Sequence, residues 1–508
     1  MKRQFIYICI AVLALTSCKK YLDIKPRGSF IPETVTDFDR LLNNSNVIEY
    51  NFQDNNRGST MSYLTDNIEM SQGQEQAGYV LPSLPTIDQY FAHTFRHPYR
   101  NPEGEDFFWG SSSGNGCYPN ASYFNNVIEG IRGISGKSAS DQQLGDRSIA
   151  QAMTARAWSY FHLNLVIGPV YKSGSSNTTR TISYVTSPNL SDPIPMLSTS
   201  EEMMTHVLQD IHTALPDLPV IAEWPSRANK AVAHAMLAYY HLFTRKYDSV
   251  LYYSNLAWSS TGNDASKVFY DFNLFSFNSP STPTSSTLIS PQDGFVNAVN
   301  SRENLLYRGG DLNAGAGNSY PSSEMIGLFD QANDLRFKFF YISGPGFKSS
   351  LGGGFDDGTR IGYYRGGKAK NNEGFTFPEV LLMRAEANAR LGQLASAIAD
   401  LNILRPYRYK TGTPLLVLGA MTQDQVIQLV LDERRRELPL GGIKRFLDLK
   451  RFVLESGKPW SKSTITHKIG SQTYTGTVDS KDFSMEILNP ILRFHPEWGI
   501  PLDNRKFQ

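Results

Sequence analysis

Cysteine is scarce in this chain of 508 residues. Of the three present, Cys9 and Cys18 lie at the amino terminus and Cys117 stands alone in the body. An internal disulfide framework is thereby excluded. Net charge is also nearly absent, with 49 Lys and Arg against 48 Asp and Glu. That total implies no basic face, so nucleic acid is a poor partner. Past the amino terminus no run of 18 apolar residues occurs, so no membrane-spanning helix is expected there. No clean linker interrupts the remainder, which reads as one domain over 18–508. What the chain has in quantity is apolar and aromatic residues, 40% and 12%, ample for a buried core. Its 40 Gly and 27 Pro leave room for long loops.

The first residues read as a leader. Lys2 and Arg3 precede an apolar run, Phe5 to Leu15, that is too short to span a bilayer. The run ends in Leu15-Thr16-Ser17-Cys18. This resembles a bacterial lipobox, in which a peptidase cuts after small residues and the cysteine becomes an acylated amino terminus. The expectation is a signal peptide over 1–17 and a lipid on Cys18. Two or more acyl chains hold a protein stably where one is marginal.

Helical patterns dominate the rest of the chain. Ile149, Met153, Ala157, Phe161 and Leu165 recur at four-residue steps within 142–165, the spacing of one buried helix face. Ser198-Thr199-Ser200-Glu201-Glu202 offers overlapping capping boxes, and Thr422 with Gln425 offers another. Further helices are predicted over about 118–134, 200–215, 227–243, 247–259, 377–391, 394–405 and 424–438. Two hairpins look like one unit repeated: Ser249, Val250 and Asn255 fall on Ser396, Ala397 and Asn402, with Gly392 at the second break. Small residues where paired helices cross suit tetratricopeptide-like stacking. Loop-rich stretches are read at about 44–117, 168–197, 260–321, 343–376 and 457–508.

Five segments in order resemble the SusD/RagB family of surface nutrient-binding proteins. They are Lys19-Lys20-Tyr21-Leu22-Asp23-Ile24-Lys25-Pro26 after the cysteine, Ala155-Arg156-Ala157-Trp158-Ser159-Tyr160-Phe161, and Arg227-Ala228-Asn229-Lys230 with the helix it opens. Next comes Phe377-Pro378-Glu379-Val380-Leu381-Leu382 through Ala387. The most specific is Glu433-Arg434-Arg435-Arg436-Glu437-Leu438 followed by Arg445-Phe446-Leu447-Asp448. Where the family has a Glu-Gly pair this chain has Gly441-Gly442, with an extra residue in Ile443-Lys444 before Arg445. The resemblance implies a mostly α-helical fold, with tetratricopeptide-like hairpins as scaffold and large irregular loop insertions as ligand surface. It also implies capture of oligomeric nutrient, most often glycan, at the outer membrane of a Gram-negative cell. The implied partner is a TonB-dependent β-barrel transporter. Peptide capture, a purely structural adaptor and a secreted hydrolase are the competing functions.

Motifs that would support other chemistry are incomplete. Gly133-Ile134-Ser135-Gly136-Lys137-Ser138 ends like a phosphate loop, but Ile131 stands where its first glycine belongs. His93 and His97 are four apart without a zincin Glu, and Pro98 follows, so a solvated pair is expected. Asp311, Asn313 and Gly315 open like a calcium loop, yet the twelfth position is Ser322. The loop acids Glu103, Glu105, Asp106, Asp356 and Asp357 carry no pairing signature. No enzyme, cofactor or metal is expected. Binding falls instead to loop aromatics, whose faces stack on the C–H faces of sugars while polar neighbours take the hydroxyls. Candidates are Trp109, Tyr270, Phe272, Phe275, Tyr320, Tyr363 and Tyr364, with Asp66, Asn67, Asp271, Asn273 and Arg365 as polar partners. Arg445 and Asp448 are read as structural, with Glu433 or Glu437 as partners for Arg445, and Trp224 as packing at a helix start.

Overall fold

A computed structural model describes residues 31–49, 60–74, 87–106, 108–110, 116–189, 191–280, 287–292, 299–309, 320–344, 360–363, 372–438 and 442–507. Among them are nine helices of eleven or more residues: α1 (Cys117–Gly133), α2 (Ala139–Ile167), α3 (Ser200–Ala214), α4 (Lys230–Phe243), α5 (Tyr247–Ser259), α6 (Phe377–Arg390), α7 (Leu394–Arg408), α8 (Gln423–Glu437) and α9 (Gly442–Phe452). Strands are short and paired in twos. The fold is mostly helical, as expected. Among the described residues, no helix is long and apolar enough to cross a membrane.

Local chemistry fixes most helix starts. Thr199 and Thr422 each form a capping box, with Glu202 and Gln425, satisfying two otherwise orphaned backbone donors apiece. Asn229 and Thr376 cap α4 and α6 through side-chain oxygens. Ser138 likewise caps α2 by accepting from Asp141 N–H, while Lys137 donates to Ile134 O. The stretch that ends like a phosphate loop is thus a helix–helix turn. The two hairpins α4–α5 and α6–α7 do correspond. Their turns place Arg245 (φ 56°) and Gly392 (φ 78°) in the left-handed region at equivalent positions. Val250 and Ala397, matched in the sequence, are both buried.

Packing runs α4 on α5, α5 on α6, and α6 on both α7 and α8, while α2 lies between α1 and α3. Alanines let the axes approach: Ala231, Ala233, Ala235 and Ala238 of α4 and Ala385, Ala387 and Ala389 of α6 are all buried. The middle of α2 is enclosed all round, with Trp158, Tyr160 and Phe161 without exposure.

The arginine-rich signature builds an ionic core. Arg434 of α8 donates to Asp448 of α9 at 2.9 Å and to Glu379 of α6 at 3.1 Å. Arg451 grips Glu386 of α6 through both terminal nitrogens, at 2.5 and 2.8 Å, and also reaches Asp448 at 2.8 Å. Lys444, in the extra residue pair, sits 2.5 Å from Glu379 and donates to Gly374 O. The departure from the family pattern therefore carries its own buried ion pair. Arg445 does not meet Glu433 or Glu437. Arg336, Arg436 and Arg408 already occupy those two acids, and Arg445 turns to Asp66, 2.7 Å away.

Two further expectations are corrected. His93 and His97 are not a solvated pair. His93 is fully buried and its ring stacks on His467 at 4.0 Å, while His97 meets Asp482 at 2.9 Å. Within the loop-rich 457–508, β1 (Thr464–Ile469) and β2 (Gln472–Thr477) form a hairpin closed by Gly470, at φ 56°, and Ser471. Ile465, His467 and Ile469 alternate inward, the period of a half-buried strand.

Candidate functional site

Three segments distant in sequence meet at one groove of about 400 Å³. They are Trp109 and Gly110 with the first turns of α1, the 185–195 connection between α2 and α3, and the carboxy-terminal residues Ile491 and His495. Trp109 is positioned by backbone bonding. Its N–H and that of Gly110 donate to Asp106 O, and its carbonyl accepts from Tyr118 N–H. Its indole then stacks on the Tyr118 ring, with centroids 4.6 Å apart and planes at 18°. On another side it meets Trp498 at 5.4 Å, and His495 stacks on Trp498 at 4.1 Å.

The 185–195 connection has few regular backbone bonds, so side chains from the helices hold it. Tyr160 OH both donates to Val185 O and accepts from Val185 N–H, and Tyr118 OH does the same at Ser183. Asn125 donates to Val185 O and Ser187 O. Arg156 orients Asn125 by donating to its carbonyl oxygen at 2.8 Å, and is itself fixed by a two-pronged contact to Asp210 of α3. Fork geometry makes such a pair directional as well as strong. Arg156 and Tyr160 of the family-like segment therefore act here as loop holders. Asn120 and Asn125 are both buried asparagines of α1.

The groove is apolar along Trp109, Tyr118, Pro193, Ile194, Pro195 and Ile491 and polar at Ser187, Asn189, Asp192 and His495. Among the described residues, no Lys or Arg lines it. Asp192 accepts from Ser187 and Asn189, leaving lone pairs for further donors. The Trp109 and Trp498 indole N–H groups are buried without a hydrogen-bond partner. The arrangement suits a neutral ligand with flat apolar faces and hydroxyl edges. Acid–base chemistry has less support here: Asp106 is buried against Arg100 at 2.9 Å, and Glu103 pairs with Arg493 at 2.6 Å. Among the described residues, no group of three or more His, Cys, Asp or Glu is placed to hold a metal.

Of the residues singled out in the sequence, only Trp109 lines this groove. Tyr270, Phe272 and Phe275 are buried with Leu288, Leu335 and Phe339 in a satellite core. Phe272 stacks on Phe275 at 4.5 Å, and Arg408 covers Phe272. Their faces are spent on packing. Asp271 caps the short turn beneath them by accepting from Asn273 N–H, and Asn273 donates through its side-chain amide to Pro406 O and Tyr409 O. Tyr320 is buried where its strand pairs with Glu69. Asp66 is buried between Arg445, Arg435 and Lys462. Burial would raise its carboxyl, but these three cations hold it well below the usual range. Asn67 accepts from Arg435. Tyr363 lies in a strand whose backbone pairs with Tyr341. Cys18, Tyr364, Arg365, Asp311, Asn313, Gly315, Asp356 and Asp357 lie outside the described residues.

Residues 353–493 match the family model of the SusD family. No curated protein matches. Among solved structures, a SusD-like carbohydrate binding protein from Bacteroides vulgatus is 15% identical, with a TM-score of 0.58 over 92% of this chain and 97% of that one. A SusD superfamily protein from Bacteroides thetaiotaomicron is 16% identical, with a TM-score of 0.64 over 91% and 98%. One from Bacteroides fragilis is 13% identical, with a TM-score of 0.62 over 92% and 99%. At these identities the likeness is one of fold.

Proposed function

The chain carries a SusD/RagB-family sequence on a SusD-like fold, and from that premise we propose that it is a binding protein that captures a neutral oligosaccharide. Cys18 anchors it by lipid in the outer membrane, and it delivers its ligand to a TonB-dependent transporter. The observation that carries the ligand class is the groove, an aromatic wall of Trp109 on Tyr118 facing an uncharged, hydroxyl-seeking rim interrupted only by Asp192. A sugar ring offers an apolar face to the wall and hydroxyls to Asn189 and Asp192. An acidic glycan would meet no cation there.

The test is titration of the full chain with neutral and acidic oligosaccharides and with peptide pools, each variant being melted first. Asp192→Ala removes an exposed acceptor and should leave melting unchanged. It should weaken a bound neutral glycan about tenfold, the worth of about 1.4 kcal/mol. Trp109→Phe shrinks a buried stacking wall, so it should melt earlier and also weaken the glycan in the folded fraction. A glycan whose affinity neither variant alters binds elsewhere. Selective peptide binding would move the protein to peptide capture.

A further inference from the structure

Between α3 and α4 the chain turns outward at 216–226. The turn is fixed from below: Leu218 is buried, Lys230 N–H donates to Pro219 O, and Arg227 N–H donates to Trp224 O. Its tip nevertheless holds three large apolar side chains in solvent, with Val220 72%, Ile221 83% and Trp224 46% exposed. The reading of Trp224 as packing at a helix start is thereby corrected. A contiguous apolar group on a fixed turn marks a contact with something outside the chain.

The tip lies beside the place where the amino-terminal segment joins the domain. Pro219, Ile221 and Glu223 share one crevice with Asp39, Arg147 and Arg227, and Arg227 pairs with Asp39 at 3.0 Å. Asp39 sits in the short helix Val35–Leu41, and the described chain begins at Ile31. The intervening backbone covers about 20 Å at most. Cys18 stands thirteen positions before Ile31, a reach of about 45 Å at full extension.

We propose that Val220, Ile221 and Trp224 form a membrane-contacting tip that enters the interface of the lipid layer holding Cys18, an inference that rests on the acylation of Cys18 proposed above. A lipid surface fits better than a protein. Three side chains on a projecting turn cover on the order of a few hundred Å², short of the ~800 Å² per partner typical of stable protein interfaces. Tryptophan beside aliphatic residues suits the boundary between headgroups and acyl chains. Asp217 and Glu223 flank the tip, so the contact is apolar rather than electrostatic and survives salt.

The tryptophans make this measurable. Trp109, Trp158, Trp258, Trp460 and Trp498 are buried, leaving Trp224 as the exposed indole. The mature chain from Cys18 is coupled through that thiol to a maleimide lipid in phosphatidylcholine vesicles, with or without bromine on the acyl chains. Cys117 does not compete, because it is buried and burial pushes its thiol pKa up. Brominated vesicles should quench emission, Trp224→Phe should abolish that quenching, and Ile221→Ser should reduce it about twofold. Salt at about 0.5 M should leave it intact. Equal emission on both vesicle types, quenching that survives Trp224→Phe, or quenching lost in salt overturns the contact. Palmitate labelling in cells reports on the anchor separately. Loss of label in Cys18→Ala supports the tether, whereas label that persists removes the premise even where the coupled chain is quenched.

Discussion

Asp448 shows how much a single carboxylate carries here. It accepts from Arg434 at 2.9 Å and Arg451 at 2.8 Å, all three groups being buried. Burial would raise its carboxyl, but the two guanidiniums lower it. Replacing it by Ala leaves both arginines short of one counter-charge, although Glu379 and Glu386 remain. Breaking a buried pair in this way costs about 3 kcal/mol. Asp448→Ala should therefore lower the unfolding free energy by that amount, read as a lower urea midpoint, while glycan affinity of the folded fraction stays unchanged, since no residue of the cluster lines the groove. A variant that keeps its midpoint and loses affinity would place the binding site at α9. Residues of this kind were legible because a charged run interrupted by apolar residues leaves few alternatives to burial with partners. Groove residues were not. Ser187, Asn189 and Asp192 are ordinary turn formers in sequence, and only the tyrosines and Asn125 holding their backbone show that they form a rim. Tyr270, Phe272 and Phe275, which stood out in an irregular segment, form a small core instead, because a long loop with rings in it buries them against each other.

At the scale of elements, the turn of the α4–α5 hairpin is a place where sequence and backbone disagree. Arg245 adopts φ 56° where its counterpart is Gly392 at φ 78°. A side chain in the left-handed region costs about 1–2 kcal/mol, and glycine returns about 0.5–1 kcal/mol of that through its freer unfolded chain. The contact of Arg245 with Glu455, at 3.4 Å, is long and partly exposed and contributes little. Arg245→Gly should thus raise stability by about 0.5–1 kcal/mol, read as a higher urea midpoint with unchanged slope. A lower midpoint would mean that the ion pair outweighs the backbone strain. Helices such as α3, α4, α6 and α8 were legible because capping residues and apolar periodicity agreed at their starts. The β1–β2 hairpin escaped because its strand carries Thr, His and Lys among only two isoleucines, and His467 turns inward to bond His93 O and Thr65 O. An inward histidine breaks the alternation that marks a strand.

For the whole molecule, a near-zero net charge conceals how the charges are arranged. Many acids and bases are paired inside rather than spread over the surface, and this sets the response to acid. Burial alone would raise Glu386, but Arg451 and Arg390 outweigh it and hold it at about 2. Glu433, Asp66 and Asp448 are lowered in the same manner by their arginines. A carboxylate whose folded value lies below its unfolded one binds fewer protons when folded. Its contribution is complete above the unfolded value, 4.5 for Glu386, and is lost as pH falls toward the folded value. Burial also holds His93, His162 and His241 neutral, below their unfolded value of 6.5, so stability should begin to fall as pH drops below about 6.5 and fall more steeply between about 4.5 and 2, where the paired carboxylates titrate. Glu386→Gln isolates one part of that slope. At neutral pH it should be less stable than the parent by about 3 kcal/mol, the worth of the shift at about 1.4 kcal/mol per unit. The gap should close as pH approaches 2, where the parent carboxyl is itself protonated. Urea midpoints of the two proteins across pH 7 to about 2 measure this. A gap that stays constant over the range would show that Glu386 acts through packing rather than through its charge, leaving the other paired acids and the buried histidines to explain the acid response.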